Sequence, residues 1–268
     1  MNSPRLTAPY ETIISGGRPL YESHYLKANS PDGRRAFWVK HTLTVMRDGR
    51  HVLQLWLVRF TRGEPAEVWS ETRNWDGLSL GAGPRIQSGD LDFSAVHARG
   101  PRWDLRMAGG TPVVHLPRFL YAGWIPTTKI LSPAAGCRFD GAVGDWNVEG
   151  WKGLRGHNWG KRHTHRYTWL AVSDGPAPLE GFVAQPRPGA PTFGVLAGER
   201  RRFGLGTFHP DRFDLGGVLA SAPPESFVTL DYLSPEGHTT VCRCTKFAEV
   251  YVDGKLRSRD GELEFMES

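Results

Sequence analysis

Short runs of alternating apolar and polar residues, closed by turn clusters, recur along the chain. Between Phe37 and Val45 the alternation is clearest: Phe37, Val39, Leu43 and Val45 point one way, and Lys40, Thr42 and Thr44 the other. That is the period of a strand with one face on a core. Asp48-Gly49 predicts a hairpin turn. Residues 51–60 then run nearly continuously apolar, as a strand buried on both faces would. Further strands are expected at residues 21–28, 67–75, 90–97 and 103–107. Residues 111–126 hold Pro112, Pro117 and Pro126, which exclude a long helix or a central strand, and they read as the connection between two β units. The second unit is expected to hold strands at 129–131, 137–142, 146–150, 181–184 and 193–197. Others follow near Phe203 and at 226–233, 239–252 and 262–265. Helical periodicity is scarce, so the pattern predicts an all-β sandwich or barrel.

One stretch departs from this ordinary patterning. Gly156 to Trp169 reads Gly-His-Asn-Trp-Gly-Lys-Arg-His-Thr-His-Arg-Tyr-Thr-Trp and holds three of the ten His and two of the ten Trp. From His163 it alternates, so His163, His165, Tyr167 and Trp169 would share one strand face, with Thr164, Arg166 and Thr168 on the other. A face of imidazoles and aromatic rings suits the wall of a cavity that holds a bulky apolar molecule and touches it with a few polar groups.

Composition narrows the classes. With 268 residues, 39% hydrophobic and 23% charged, the chain can bury a normal core in one large domain or two small ones. No window approaches the apolar length of a membrane span. The start has no apolar segment behind a basic one, so no signal peptide is expected. Cys137, Cys242 and Cys244 are too few and too odd in number for a disulfide framework, so a cytoplasmic location is the default. The formal charge of +5 is mildly basic. Its densest runs, Arg34-Arg35 and Arg200-Arg201-Arg202, make no nucleic-acid motif, and no nucleic-acid partner is expected.

Other motifs carry less. Gly77-Leu78-Ser79-Leu80-Gly81 matches the serine-hydrolase elbow, but Gly83-Pro84 follows at once and no helix can start. His163 and His165, with His157, could share a metal on one strand face, yet no acidic or thiol partner is near in sequence, so no metal and no cofactor are expected. Glu22, Glu71, Asp145 and Glu149 sit in or beside expected strands, and the pattern singles out none of them.

At Gly156-His157-Asn158-Trp159-Gly160, with Trp169 ten residues after Trp159, the chain resembles the lipocalin-like superfamily of tocopherol cyclases and carotenoid 1,2-hydratases. The strand at Phe37-Trp38-Val39 and the entry to a second β unit at 127–133 fit the same organisation. The resemblance implies two lipocalin-like β-barrel units packed together, residues 1–125 and 126–268, with an apolar pocket near the motif. It implies an enzyme that hydrates or cyclises an isoprenoid, quinone or polyene, an isomerase or lyase of secondary metabolism. Hydratases of the family carry an Asp directly before His-Asn-Trp-Gly, as a candidate proton donor; here that place is Gly156. An imidazolium such as that of His157, with a pKa of ~6.5, is a weak acid for protonating an alkene. Either another acid reaches the pocket, or the reaction starts from a phenol, enol or quinone methide, or is pericyclic. On this reading His157 and Asn158 are the catalytic candidates, His157 donating to a carbonyl or phenol oxygen and Asn158 bracing the turn. Trp159, His163, His165, Tyr167 and Trp169 would bind the substrate. The partner would be an apolar small molecule, and oligomeric state is left open. The other class is a non-catalytic carrier of a hydrophobic ligand, for which an apolar wall and a polar mouth suffice.

Overall fold

The structure is a computed structural model that describes residues 20–75, 79–80, 86–122, 128–161, 164–173, 177–198, 201–209, 212–215, 218–221, 228–233, 239–244, 249–252 and 255–257. The described chain is almost wholly antiparallel β. The first strands form a meander, β1 (Leu20–Asn29), β2 (Arg35–Val45), β3 (His51–Thr61) and β4 (Glu67–Asn74), followed by β5 (Ser79–Leu80), β6 (Ile86–Ser88), β7 (Leu91–Phe93), β8 (His97–Gly100), β9 (Trp103–Ala108) and β10 (Thr111–Val114). One short helix, α1 (Arg118–Ala122), precedes two long strands, β11 (Thr128–Val143) and β12 (Trp146–Gly160). All of these strands join one twelve-stranded sheet in the order β4-β3-β2-β1-β12-β11-β9-β8-β7-β6-β5, with β10 also on β11.

The sheet curls. Leu53 and Leu55 of β3 and Ile86, Leu91 and Phe93 from its other end lie in one core with Phe37, Leu105, Phe139 and Trp151. Arg73 of β4 spans the gap between the two ends, reaching Asp90 at 2.6 Å in the turn before β7. The other side of β1–β3 is covered as well: Lys40, Thr42 and Thr44, the polar side of the strand pattern, are all buried. A second core there joins Tyr21, Tyr25, Trp38, Trp56 and Leu154 to Phe182, Ala184 and Val195.

Phe182, Ala184 and Val195 come from a separate four-stranded sheet, β13 (Arg166–Val172), β14 (Leu179–Gln185), β15 (Phe193–Ala197) and β16 (Arg201–Leu205). Its opposite face supplies Leu170, Val172, Val183 and Leu196 to a third core with Phe213, Leu215 and Val218. Those last three belong to β17 (Arg212–Leu215) and β18 (Val218–Ser221), in a sheet with β21 (Glu249–Val252) and β22 (Lys255–Arg257); β19 (Val228–Leu233) and β20 (Thr239–Cys244) pair separately. No described helix is long and apolar enough to cross a membrane.

Several strand expectations need redrawing. Residues 90–97 are two strands, because Ser94 turns the chain: its hydroxyl accepts from the His97 amide at 3.1 Å. Residues 129–131 and 137–142 are one strand rather than two, carried past Pro133 by a register shift between Leu131 and Ala134; an irregularity is where a strand tolerates proline. Likewise β12 does not stop at Gly150 but runs through the motif to Gly160, with Gly150 taking φ 65° at the bend. Pro112 lies in β10, which pairs with β11 alone, an edge that spares its missing N–H. Hydrogen bonding between β1 and β12 ties residues 20–29 to residues 152–160. The strand expected at 262–265 lies outside the described residues.

Candidate functional site

The β1–β12 ladder decides which way each motif residue faces. Directly opposed residues of antiparallel strands share a face. Glu22 opposes Trp159, His24 opposes His157 and Leu26 opposes Arg155, so these six share one face. Ser23 opposes Asn158 and Tyr25 opposes Gly156 on the other. The two catalytic candidates, consecutive in sequence, therefore face opposite sides of the sheet.

His157 looks inward. Its Nε2 lies 2.9 Å from Glu22 Oε1, and His24 Nε2 lies 3.1 Å from the same oxygen. The imidazoles of His24 and His157 stack, with centroids 4.3 Å apart and planes 7° from parallel. Trp159 also stacks on His157, at 4.5 Å. His41 of β2 opposes His24, so three imidazoles stand in a row across β2, β1 and β12. Phe93 packs on His41 at 4.8 Å and on His24 at 5.3 Å, and the Arg155 guanidinium lies 4.6 Å from its centroid. Glu22, His24, His41, His157 and Arg155 are all buried. Burial favours the neutral acid, but hydrogen bonds from His157 and His24 outweigh it and hold the Glu22 carboxyl well below the usual carboxylate range. Burial, and then the charge of His157, push His24 down to about 4. Burial, then His24 and Arg155, push His41 down to about 3. The inner group is thus an ionised carboxylate among imidazoles, two of them held neutral.

The other face is organised by Tyr25. Gly156 is a glycine because the Tyr25 ring lies over it: a Cβ built there would overlap Tyr25 Cζ, Cε2 and Oη. Tyr25 shares a hydrogen bond with Ser132. The Ser132 hydroxyl donates to Glu180 Oε2 at 2.6 Å, and so accepts from the phenol. His115 Nε2 lies 3.2 Å from that same Glu180 oxygen. Burial first, then the charge of Glu180, raise the Tyr25 phenol well above its ordinary range. Trp169 meets Tyr25 edge-on at 5.9 Å, and Lys27 Nζ lies over its indole at 5.3 Å. His115 packs on Phe182 at 5.9 Å. Glu180 Oε1, His115 Nδ1, Asn158 Oδ1 and Trp169 Nε1 are buried without a hydrogen-bond partner among the described residues. Buried polar atoms are paired in most folds, so four unpaired ones along one seam mark a place suited to a polar ligand group.

The remaining candidates divide. Tyr167 and Trp169 share a face of β13, opposite Ala184 and Phe182, which belong to the second core; Tyr167 is exposed and Trp169 half-buried. The strand begins only at Arg166, and His165 is an exposed residue of the preceding turn, its amide donating to the Pro186 carbonyl at 3.3 Å. The stretch thus holds the end of one strand and the start of another. β12 ends at Gly160 in the large sheet, and among the described residues β13 pairs with β14 in the next. His163 lies outside the described residues. His157 and His165 are not brought together, the first buried and the second exposed. Among the described residues the His/Cys/Asp/Glu group with metal-ligand spacing is Glu22, His24 and His157, with donor atoms within 4.8 Å of one another.

Glu22 stood among the strand acids of the sequence, undistinguished from Glu71, Asp145 and Glu149. Tyr25, Ser132, Glu180 and His115 carried no signal beyond strand patterning, because they come from three separate strands and a loop. Gly156 was the visible clue: a glycine within a strand leaves room for another group, here the Tyr25 ring. The chain matches no protein-family model and no curated protein.

Proposed function

We propose that the protein is a cyclase- or hydratase-type enzyme, an isomerase or lyase, acting on a bulky apolar isoprenoid, quinone or polyene. In this reading the curled sheet is one of two lipocalin-like barrel units, and the substrate lies along the seam between the Tyr25 face of β1–β12 and β13–β14. The observation that carries it is the hydrogen-bonded path from Tyr25, over Gly156, through Ser132 to the buried carboxylate of Glu180. It brings a buried carboxylate within two hydrogen bonds of the phenol that lies over Gly156.

The chemistry of the path favours cyclisation over alkene hydration. A phenol raised above its ordinary range does not protonate an alkene. Glu180 Oε1 is instead an open acceptor for the hydroxyl of an enol or phenol. Protonated in this way, the carboxyl returns one proton to an alkene carbon of the same substrate while the oxygen bonds to the adjacent carbon, so that one O–H and one C=C π bond give one C–O and one C–H bond. Trp169 and Phe182 form the apolar wall, hold the near-attack shape and face developing positive charge with their rings. Asn158 Oδ1, on the same face as Tyr25, is a second polar anchor. Proton handling falls to Glu180 rather than to His157, which faces the other side of the sheet. A cytoplasmic site of action fits the low cysteine count.

The test is turnover of a panel of prenylated phenols, quinols and linear polyenes, followed by mass spectrometry. Glu180→Gln should lower kcat on any accepted substrate by about 100-fold or more, and Tyr25→Phe by about tenfold or more. An undiminished rate in Glu180→Gln removes this mechanism. A panel member bound stoichiometrically and returned unchanged makes the protein a carrier.

A further inference from the structure

We propose that Glu22, His24 and His157 form a divalent metal site inside the curled sheet, on the opposite face of β1–β12 from Tyr25 and independent of the reading above. Three features of the geometry support it. The donor set is one carboxylate and two imidazoles, the set that zinc and other first-row ions take in sites that keep a coordination position open. The spacing is close to that of a bound ion: Glu22 Oε1 stands 2.9 Å from His157 Nε2 and 3.1 Å from His24 Nε2. Neighbouring ligands around zinc, with bonds of about 2.0–2.2 Å, stand roughly 3.3 Å apart, so each imidazole needs to part from Glu22 by only a few tenths of an ångström, and all three donor atoms already lie within 4.8 Å of one another.

The third feature is His41. It stands next to His24 in the same row, is fully buried, and has neither ring nitrogen hydrogen-bonded to any described residue. Two imidazole nitrogens sealed from water without partners are expensive in a core. A metal-bound water beside His24 would give one of them a donor.

Binding asks for one rearrangement. The two ligand rings are stacked 7° from parallel, so their Nε2 lone pairs run side by side rather than to one point. To converge, one ring has to rotate about its Cβ–Cγ bond and exchange its contact with Glu22 for the metal. Nδ1 of His24 and Nδ1 of His157 have no hydrogen-bond partner among the described residues, so that rotation breaks none there. The site would be held by two adjacent strands, β1 and β12, whose register places His24 directly opposite His157.

The experiment is calorimetric titration of the chelator-treated full chain with zinc chloride, alongside the visible spectrum of the cobalt(II) form. We expect one equivalent to bind, with d–d bands of a four- or five-coordinate ion and a raised Tm. Glu22→Gln, His24→Gln and His157→Gln should each weaken binding by about 100-fold or more, while Tyr25→Phe and His165→Gln should leave it unchanged. No saturable binding by the wild-type chain overturns the site. So does a binding isotherm unaltered in the Glu22→Gln/His157→Gln double variant, whose fold is checked by far-UV circular dichroism. Because Tyr25→Phe is neutral here and damaging to turnover above, the two proposals fail separately.

Discussion

The ring of Tyr25 occupies the space that a side chain at Gly156 would fill, since the two residues face each other across the β1–β12 ladder. The expected consequence is a size conflict with a specific cure. Gly156→Ala should destabilise the fold by about 1–3 kcal/mol, the range for overpacking a close-packed interior. Adding Tyr25→Ala should recover part of that loss, because the obstructing ring is gone, although Tyr25→Ala alone leaves a cavity and is itself destabilising. Urea unfolding of the two single variants and the double variant measures the coupling. Additive losses would mean that the ring yields easily and that position 156 is not restricted by it.

The buried histidine row makes stability depend on pH. In the unfolded chain each imidazole titrates near ~6.5. In the fold His24 is held down to about 4 and His41 to about 3. Between these limits the unfolded chain binds protons that the folded chain does not, so stability falls as pH drops below ~6.5 and the loss levels off below the folded values. Each histidine contributes a slope of up to ~1.4 kcal/mol per pH unit. Urea midpoints between pH 7 and pH 5, with a chelator present, should fall accordingly. His41→Phe should remove about half of the slope contributed by this pair. A slope unchanged by that substitution would place the titrating groups elsewhere.

Cys137 should be an inert thiol. It is buried, its Sγ–H donates to the Gly153 carbonyl at 3.6 Å, and burial pushes it up to about 12. At pH 8 its thiolate fraction is then roughly 1000-fold below that of a free cysteine. In a variant with Cys242→Ser and Cys244→Ser, an aromatic disulfide reagent should modify Cys137 only as fast as the fold opens. Rapid labelling of the native protein would contradict the packing of β11 on β12 around it.

Alternation, turn residues and the proline spacing determined the β character of this chain, because a strand's period and its breakers are local properties. The hairpin around Asp48-Gly49 and the strands β1 to β4 were legible for that reason. So was the pairing of Tyr167 with Trp169 on one face. Where the strands bend, the same reasoning stops short. Gly150 and Pro133 look like terminators, yet β11 and β12 pass through them, because irregularities in the ladder absorb what a regular strand cannot. The His-Trp motif drew attention to the right strand but not to its two sides. Only the pairing of β12 with β1 turns His157 toward Glu22 and His24, and Gly156 and Asn158 toward Tyr25 and the seam. Which side chains meet depends on contacts between residues more than a hundred positions apart, such as Glu22 with His157, and no local pattern encodes them. Glu180 joins the Tyr25 face from another sheet altogether, brought there by packing rather than by any period in the chain.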